Sequence, residues 1–267
     1  VLSRAVTRLE NRLGTQLLRR TTRRVTLTEA GRHYLEQARA AFALLGDAER
    51  EIQGQAQALA GRIRMSVPTT WGHHRVPALL ARFTRLYPNV KVELNITNRS
   101  VDLVAEGFDL AIRLGHLPDS GLVARKLADE TLCLVASPAY LERAGTPRTL
   151  DDLQAHACLP FILPRPGKIA PWVFRDGDTD VEWTAPATIE VSDDVLGVVS
   201  LAVAGIGIGQ SYDFIVREHV AAGRLVEVLP HLRGRSRPFS VVYAPHRRQS
   251  AAIRAMIDVL TAGAEGP

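Results

Sequence analysis

From residue 28 to about residue 60 the sequence carries one helical pattern, and its length constrains how everything else can fold. Positions 35, 38, 42, 45, 49, 52, 56 and 59 alternate spacings of three and four. They hold Leu35, Ala38, Phe42, Leu45, Glu49, Ile52, Ala56 and Leu59, a heptad seam broken only at Glu49. Thr28 is a good N-cap, Glu29 places an acid in the first turn, and Gly61 reads as the stop. A helix this long exceeds the usual globular length. It either packs along its own domain or pairs with a second copy, and the sustained seam favours the second. In both cases it divides the chain into two unlike parts.

The part before it is basic. Residues 1–27 hold seven arginines (Arg4, Arg8, Arg12, Arg19, Arg20, Arg23, Arg24) against Glu10, a formal charge of +6. The whole chain is +5, so the remaining 240 residues sum to −1. Basic charge on one short segment attracts DNA by counterion release, whatever the sequence. A solvated basic face without a partner would look the same by charge alone; the pattern inside the segment discriminates. Leu2, Val6, Leu9 and Leu13 form one helical stripe over residues 1–13, Gly14 stops it, and Val25-Thr26-Leu27 favours a strand. Helix, arginine turn and strand fit a partial winged helix-turn-helix with the turn as its wing.

After Gly61 the pattern alternates. Strands are expected at Ile63–Val67, Val90–Thr97, Phe108–Arg113, Leu132–Ala136, Cys158–Leu163, Trp172–Phe174, Ala187–Val191, Ile206–Gly209 and Phe239–Ala244. Helices are expected from Pro68-Thr69-Thr70 to Tyr87-Pro88, and over Val101–Glu106, Asp193–Ala204, Asp213–Ala221 and Ala251–Leu260. Strand–helix–strand units imply an α/β body with a mainly parallel sheet.

Several function classes fall away. No run of about 18 apolar residues marks a membrane span, and the start, VLSRAVTRLE, does not read as a secretory signal. It opens inside a helical pattern without Met, so upstream residues are expected to be missing, and the expected compartment is cytoplasmic. The two cysteines, Cys133 and Cys158, lack metal-ligand spacing, and Cys133 sits in an apolar run as a buried thiol would. His73 and His74 are adjacent and diverge on a helix. Gly205-Ile206-Gly207-Ile208-Gly209 lacks dinucleotide-fingerprint spacing. Asp193-Asp194 suits a helix start. No nucleophile–base constellation stands out, so no enzyme, metal or cofactor is expected.

The runs Leu2-Ser3-Arg4, Leu9-Glu10, Leu13-Gly14, Leu17-Leu18 and Arg20, followed by Thr21-Thr22-Arg23-Arg24-Val25-Thr26-Leu27-Thr28-Glu29-Ala30-Gly31, resemble the end of the DNA-binding domain of LysR-type transcriptional regulators. Glu106-Gly107-Phe108-Asp109-Leu110-Ala111-Ile112-Arg113, Leu117-Pro118-Asp119-Ser120 and Ala204 to Gly209 resemble the same family, so the likeness covers the whole chain. Only the first helices of that DNA-binding domain are absent.

The resemblance implies a partial winged helix-turn-helix at 1–27, a linker and dimerisation helix at 28–61, and an effector domain at 62–267. The last would be a two-lobed fold of the periplasmic-binding-protein type, with lobe I at 62–135 plus 239–267 and lobe II at 136–238. The crossovers would fall near 134–136 and 238–241. Implied partners are double-stranded DNA, a small-molecule effector, and a second copy in a homodimer or homotetramer. A binding module of the same fold without DNA function is the contrary reading; it would need neither the arginine wing nor the heptad helix. Ser3, Arg4 and Arg8 are expected to face DNA bases, and Arg23 and Arg24 phosphate or the minor groove. Thr69, Thr70, Asn98 and Arg99 on one side, with Gln210 and Ser211 on the other, are the expected effector contacts. The competing roles are N-capping for the threonines and solvation for Arg99.

Overall fold

The computed structural model describes residues 2–20, 25–52, 59–115, 121–164, 167–186, 189–233, 235–245, 247 and 250–263. The N-terminal segment holds the expected helix α1 (Leu2–Leu13) and strand β2 (Val25–Leu27), and also a strand not expected from the sequence, β1 (Leu18–Arg20), which pairs antiparallel with β2. Its one acid has a structural task. Glu10 Oε1 accepts the backbone N–H groups of Leu17 (2.8 Å) and Leu18 (2.9 Å), pinning the turn to α1. Thr28 caps α2 (Glu29–Ile52): its hydroxyl accepts the Gly31 N–H at 2.9 Å and donates to the Gln16 carbonyl at 2.7 Å. A Cβ on Gly31 would lie 1.9 Å from the Leu17 carbonyl oxygen, so only glycine permits this contact.

The helix pattern expected to reach about residue 60 is helical through Ile52, and 53–58 lie outside the described residues. Gly61 does not end it. This glycine lies inside β3 (Ala60–Val67) with φ 147°, a backbone that favours glycine.

The body is α/β, but its sheet is mixed rather than mainly parallel. β3 pairs in parallel with β4 (Asn89–Ile96) and β5 (Leu110–Leu114). The other pairings are antiparallel: β11 (Ser236–Tyr243) with β5 and β6, and β6 (Val123–Ala136) with β9 (Gly209–Tyr212) and β10 (Val226–Val228). The reason is connectivity: β6 leaves the first half of the body and β11 returns to it, so the two strands run opposite ways. β6 pairs with β11 through Thr131 and with β9 from Leu132 onward, contributing to both halves. The β6–β11 register slips between Phe239 and Ser240, beside Pro238, which has no N–H to give a ladder.

β3 is buried on one face along Ile63, Met65 and Val67, and on the other at Ser66. One cover is α8 (Ala251–Ala262), through Ile253, Met256, Ile257 and Leu260. After β3 the expected single helix is two, α3 (Thr69–His74) and α4 (Val76–Leu86), with Pro77 opening the second. Val101–Glu106 is a run of turns rather than a helix, because the Asp102 carboxylate takes the N–H groups of Val104 (3.0 Å) and Ala105 (2.9 Å).

The second half holds α5 (Pro138–Ala144), the hairpin β7 (Trp172–Asp176) and β8 (Thr179–Trp183), α6 (Leu196–Val203) and α7 (Asp213–Ala221). Cys158–Leu163 makes only isolated bridges, and Val191 bridges Phe161 while 187–188 lie outside the described residues. The helix expected from Asp193 starts at Leu196, and the expected strand at Ile206–Gly209 runs instead from Gly209.

The glycine run there is a packing device. A Cβ on Gly207 would lie 2.3 Å from the Ala157 carbonyl oxygen, and one on Gly209 2.5 Å from Val198. Replacing Gly207 by Ala should therefore cost about 1–3 kcal/mol by overpacking, read as a lowered urea midpoint. An unchanged midpoint would show that the Ala157 strand yields freely.

Candidate functional site

The C-terminal ends of β3, β4 and β5 open into a cavity of about 270 Å³. The strand order β4-β3-β5 reverses direction at β3, and ligands of open α/β sheets bind outside such carboxyl ends. From this half the walls are Pro68, Thr70, 97–100 and 112–114. The opposite wall is Phe161, Leu163, Trp172, Val195 and Gly209's successors Gln210, Ser211 and Tyr212. Leu132, Arg237 and Phe239, on the two strands that cross between the halves, complete it.

Of the six residues singled out from the sequence, Thr70, Asn98, Arg99, Gln210 and Ser211 line one cavity, although they come from distant stretches of chain. Thr69 is not on its wall. Instead it joins a clasp across the cleft. The Asn98 amide donates to the Thr69 hydroxyl (2.8 Å) and to the Asp193 carbonyl (2.7 Å), and accepts the Thr69 N–H (3.1 Å). The Thr69 hydroxyl donates to the Asp194 carboxylate at 2.9 Å. Asp193 presents its carbonyl from a left-handed backbone, φ 63°, a conformation that asparagine and aspartate tolerate best. Asp194 also accepts the Leu196 N–H at 3.1 Å, the helix-start role its sequence position implies.

Other expected contacts are likewise engaged. Gln210 exchanges two hydrogen bonds with the Val173 backbone (3.0 and 2.9 Å), which positions Trp172. Arg99 forks onto Glu106 at 2.9 and 2.5 Å and holds that carboxyl below the usual range. Ser211 is buried, and among the described residues its hydroxyl has no hydrogen-bond partner.

Sequence reasoning missed Arg113 and Arg237, which also line the cavity. Burial pushes the Arg113 guanidinium down from its ordinary value, and its bonds go to the Ile112 carbonyl (2.9 Å) and, at 3.4 Å, Ser66. Arg237 lies beside Tyr212, whose phenol burial pushes up to about 12. The available signal was a charged residue closing the apolar run Leu110-Ala111-Ile112.

Beneath the cavity an aromatic cluster links the halves: Trp71 to Phe239 (5.4 Å between centroids), Phe239 to Tyr212 (5.3 Å), Tyr212 to Phe214 (5.7 Å). Arg75 stacks over Phe214 and binds Glu130 at 3.0 Å, while burial pushes the Glu130 carboxyl up. Cys133 and Cys158 are free and buried, and burial raises each thiol to about 12. Thiols so shifted are poor nucleophiles at neutral pH. Among the described residues no cluster of three or more His, Cys, Asp and Glu could hold a metal ion, and no helix is long and apolar enough to cross a membrane.

On α1, Arg4 and Arg8 are exposed on a face apart from the apolar stripe. The side chain of Ser3 lies outside what the structure describes, as do Arg23 and Arg24 altogether. On α2, Phe42 and Leu45 are 73% and 59% exposed, so the seam is uncovered at these two positions in the single chain, while Leu35 and Ala38 are half-buried.

Residues 56–265 match the model of the LysR substrate binding domain, and residues 1–32 match that of the bacterial regulatory helix-turn-helix protein, lysR family. The chain is 36% identical over 249 residues to an uncharacterized HTH-type transcriptional regulator, YhjC, of Escherichia coli K12, covering 93% of this chain and 82% of that one. It is 32% identical over 260 residues to the transcriptional regulator CrgA of Neisseria meningitidis serogroup C, covering 97% and 86%. Among solved structures, that of CrgA from Neisseria meningitidis, a LysR-type transcriptional regulator, superposes with TM-score 0.71 at 30% identity over 99% of this chain and 89% of that one. The full-length virulence activator AphB of Vibrio cholerae does so with TM-score 0.66 at 28% identity, over 97% and 87%.

The clasp makes a definite expectation. Asn98→Ala should speed amide exchange over 193–197 about tenfold, the equivalent of about one hydrogen bond. Unchanged exchange there would mean that the contacts do not hold the cleft.

Proposed function

Since this chain belongs to the LysR family of transcriptional regulators, we propose which of its parts read DNA, pair with a second copy and sense the effector. It is a DNA-binding transcriptional regulator with a substrate-binding domain, of two-lobed periplasmic-binding-protein-like fold, and its relatives are regulators rather than enzymes. The proposed units are 1–27 for DNA, 28–61 for linkage and dimerisation, and 62–267 for the effector, with lobes at 62–135 plus 239–267 and at 136–238. The partner switch of β6 between Thr131 and Leu132 supports a lobe boundary there within a few residues.

In this reading α1 is the recognition helix. Arg4 and Arg8 stand one turn apart on its exposed face, where an arginine can fork onto a guanine edge. Ser3 lies on the same helix, and Arg23 and Arg24 would grip phosphate or the minor groove from the wing. The uncovered Phe42 and Leu45 support a homodimer through α2, which would set two reading heads on a two-fold DNA site. Assembly into tetramers and a cytoplasmic location belong to the same proposal.

The cleft is the proposed effector site. The single observation that carries this is the cavity itself, which gathers Thr70, Asn98, Arg99, Gln210 and Ser211 at the strand ends. The effector would act by population shift: a ligand that binds one lobe arrangement better biases the spacing of the two heads.

Fluorescence anisotropy of the full-length protein on its own upstream DNA, across a salt series, tests the DNA half. Specific binding should exceed scrambled DNA and weaken steeply with salt. Arg4→Ala should cost about 1–3 kcal/mol on the specific site and little on scrambled DNA. Equal binding to both DNAs, or equal loss on both, would overturn the assignment of α1. For the dimer, Phe42→Asp combined with Leu45→Asp should leave a monomer by light scattering, since two buried charges in a seam are not tolerated. A dimer that survives this pair is built elsewhere.

A further inference from the structure

We propose that the cleft selects a small organic anion, a carboxylate on an apolar body, through Arg113 and Arg237. This rests on the cleft being the effector site, and it names the chemical class that the site accepts.

Among the described residues the cavity is lined by three arginines and by no Asp or Glu. Arg99 is already forked onto Glu106. Arg113 and Arg237 bond only neutral groups, Arg113 the Ile112 carbonyl and Ser66 and Arg237 the Tyr212 phenol, and among the described residues no carboxylate reaches ion-pair distance of either. Glu130, which acts on Tyr212 electrostatically, is itself held by Arg75 at 3.0 and 3.2 Å. The neutral groups point the same way. The Tyr212 phenol stays protonated at neutral pH, with burial pushing it up to about 12, and the buried Ser211 hydroxyl has no partner among the described residues. The amides of Asn98 and Gln210, which could have offered acceptors, are bonded within the protein.

A cavity of this kind, rich in donors and poor in acceptors, discriminates by charge. An anion pairs the two guanidiniums with charge-assisted hydrogen bonds. A neutral ligand leaves them without a counter-charge in a partly desolvated place, and a cation adds repulsion. The rest of the wall sets the body of the ligand. Phe161, Leu163, Trp172 and Val195 offer apolar surface and no charge. The volume, about 270 Å³, lies at the small end of ligand clefts, so the molecule is of metabolite size.

Isothermal titration of the full-length protein with matched sets of carboxylate, amide and amine tests this: benzoate, benzamide and benzylamine, and the same three groups on cyclohexyl, butyl and indolyl bodies. At least one carboxylate should bind about tenfold or more tightly than its amide, the value of a charge-assisted hydrogen bond, and its amine should not bind. Arg113→Gln and Arg237→Gln should each erode that preference while leaving amide binding as it was. Inorganic phosphate should bind more weakly than the best carboxylate; equal binding overturns the apolar body. The anion assignment is overturned if amide or amine matches the carboxylate, or if no carboxylate binds at millimolar concentration. Ser100→Trp separates this from the cleft reading, since Ser100 is an exposed residue of the wall that tolerates bulk. Carboxylate binding that survives Ser100→Trp lies elsewhere and sinks the cleft as the site. Binding that Ser100→Trp abolishes, yet shared equally by amide and carboxylate, sinks the ligand class alone.

Discussion

Both halves of the body depend on one strand. β6 is 14 residues long; its first part ladders with β11 and its last part with β9 and β10. A strand paired at both ends cannot slide without flipping every side chain to the wrong face. The halves are therefore fixed in register yet joined through little else at sheet level. The β6–β11 ladder has its register slip beside Pro238, opposite Lys126 to Ala128, a few residues before β6 changes partner. The aromatic stack from Trp71 through Phe239 to Tyr212 and Phe214 fills the joint with apolar surface instead of with further backbone pairing. Such a joint resists separation while leaving the angle between the halves to weaker contacts.

This arrangement also decides where chemistry can sit. The parallel strands β3, β4 and β5 end together at the joint, and their following residues have no further ladder to enter. Thr70, Asn98 and Arg113 are thereby delivered to one place by backbone geometry. The second half answers with a lining from the 161–172 stretch and β9, held in shape by the bonds of Gln210 to Val173 and by the close approach of Gly207 to Ala157. Glycine run and glutamine thus serve the cleft indirectly, as builders of its far wall.

What could be read from sequence was what local pattern dictates. The apolar runs of β3 and β5, the capped start of α2, and α7 and α8 are periodic enough to stand alone. The first part of β6 was not legible, because Arg125, Lys126, Asp129 and Glu130 carry no strand pattern; that stretch is a strand through long-range pairing with β11. Nor was the break at Arg75, a tertiary accommodation inside a helical pattern. In the site, polar residues just after apolar strands pointed to the cleft, and that reasoning found Thr70, Asn98 and Ser211. It could not find Arg237, one of 30 arginines with no local mark, nor foresee that Thr69 would turn away to Asp194. Both depend on contacts between residues more than a hundred positions apart or on a joint that only the fold creates.

The proposed ligand class bears on how the switch would work. An effector shifts a population only by the difference in its contacts between two arrangements, however tightly it binds. Arg113 belongs to β5 and Arg237 to the crossing strand β11, where it pairs opposite Glu130 of the first half, whereas Phe161, Leu163 and Trp172 come from the facing half. A bare anion would be satisfied by the arginines whether or not the far wall approached, and so would do little to the equilibrium. A purely apolar molecule would gain from closure but leave two half-buried guanidiniums beside it without a counter-charge. A molecule with both features has its charged end held by the strands and its body covered only when the halves close. Closure is also where the Thr69–Asn98 clasp meets Asp193 and Asp194, a few exposed hydrogen bonds worth about 1 kcal/mol each. Contacts that small could be outweighed by the burial of one apolar body.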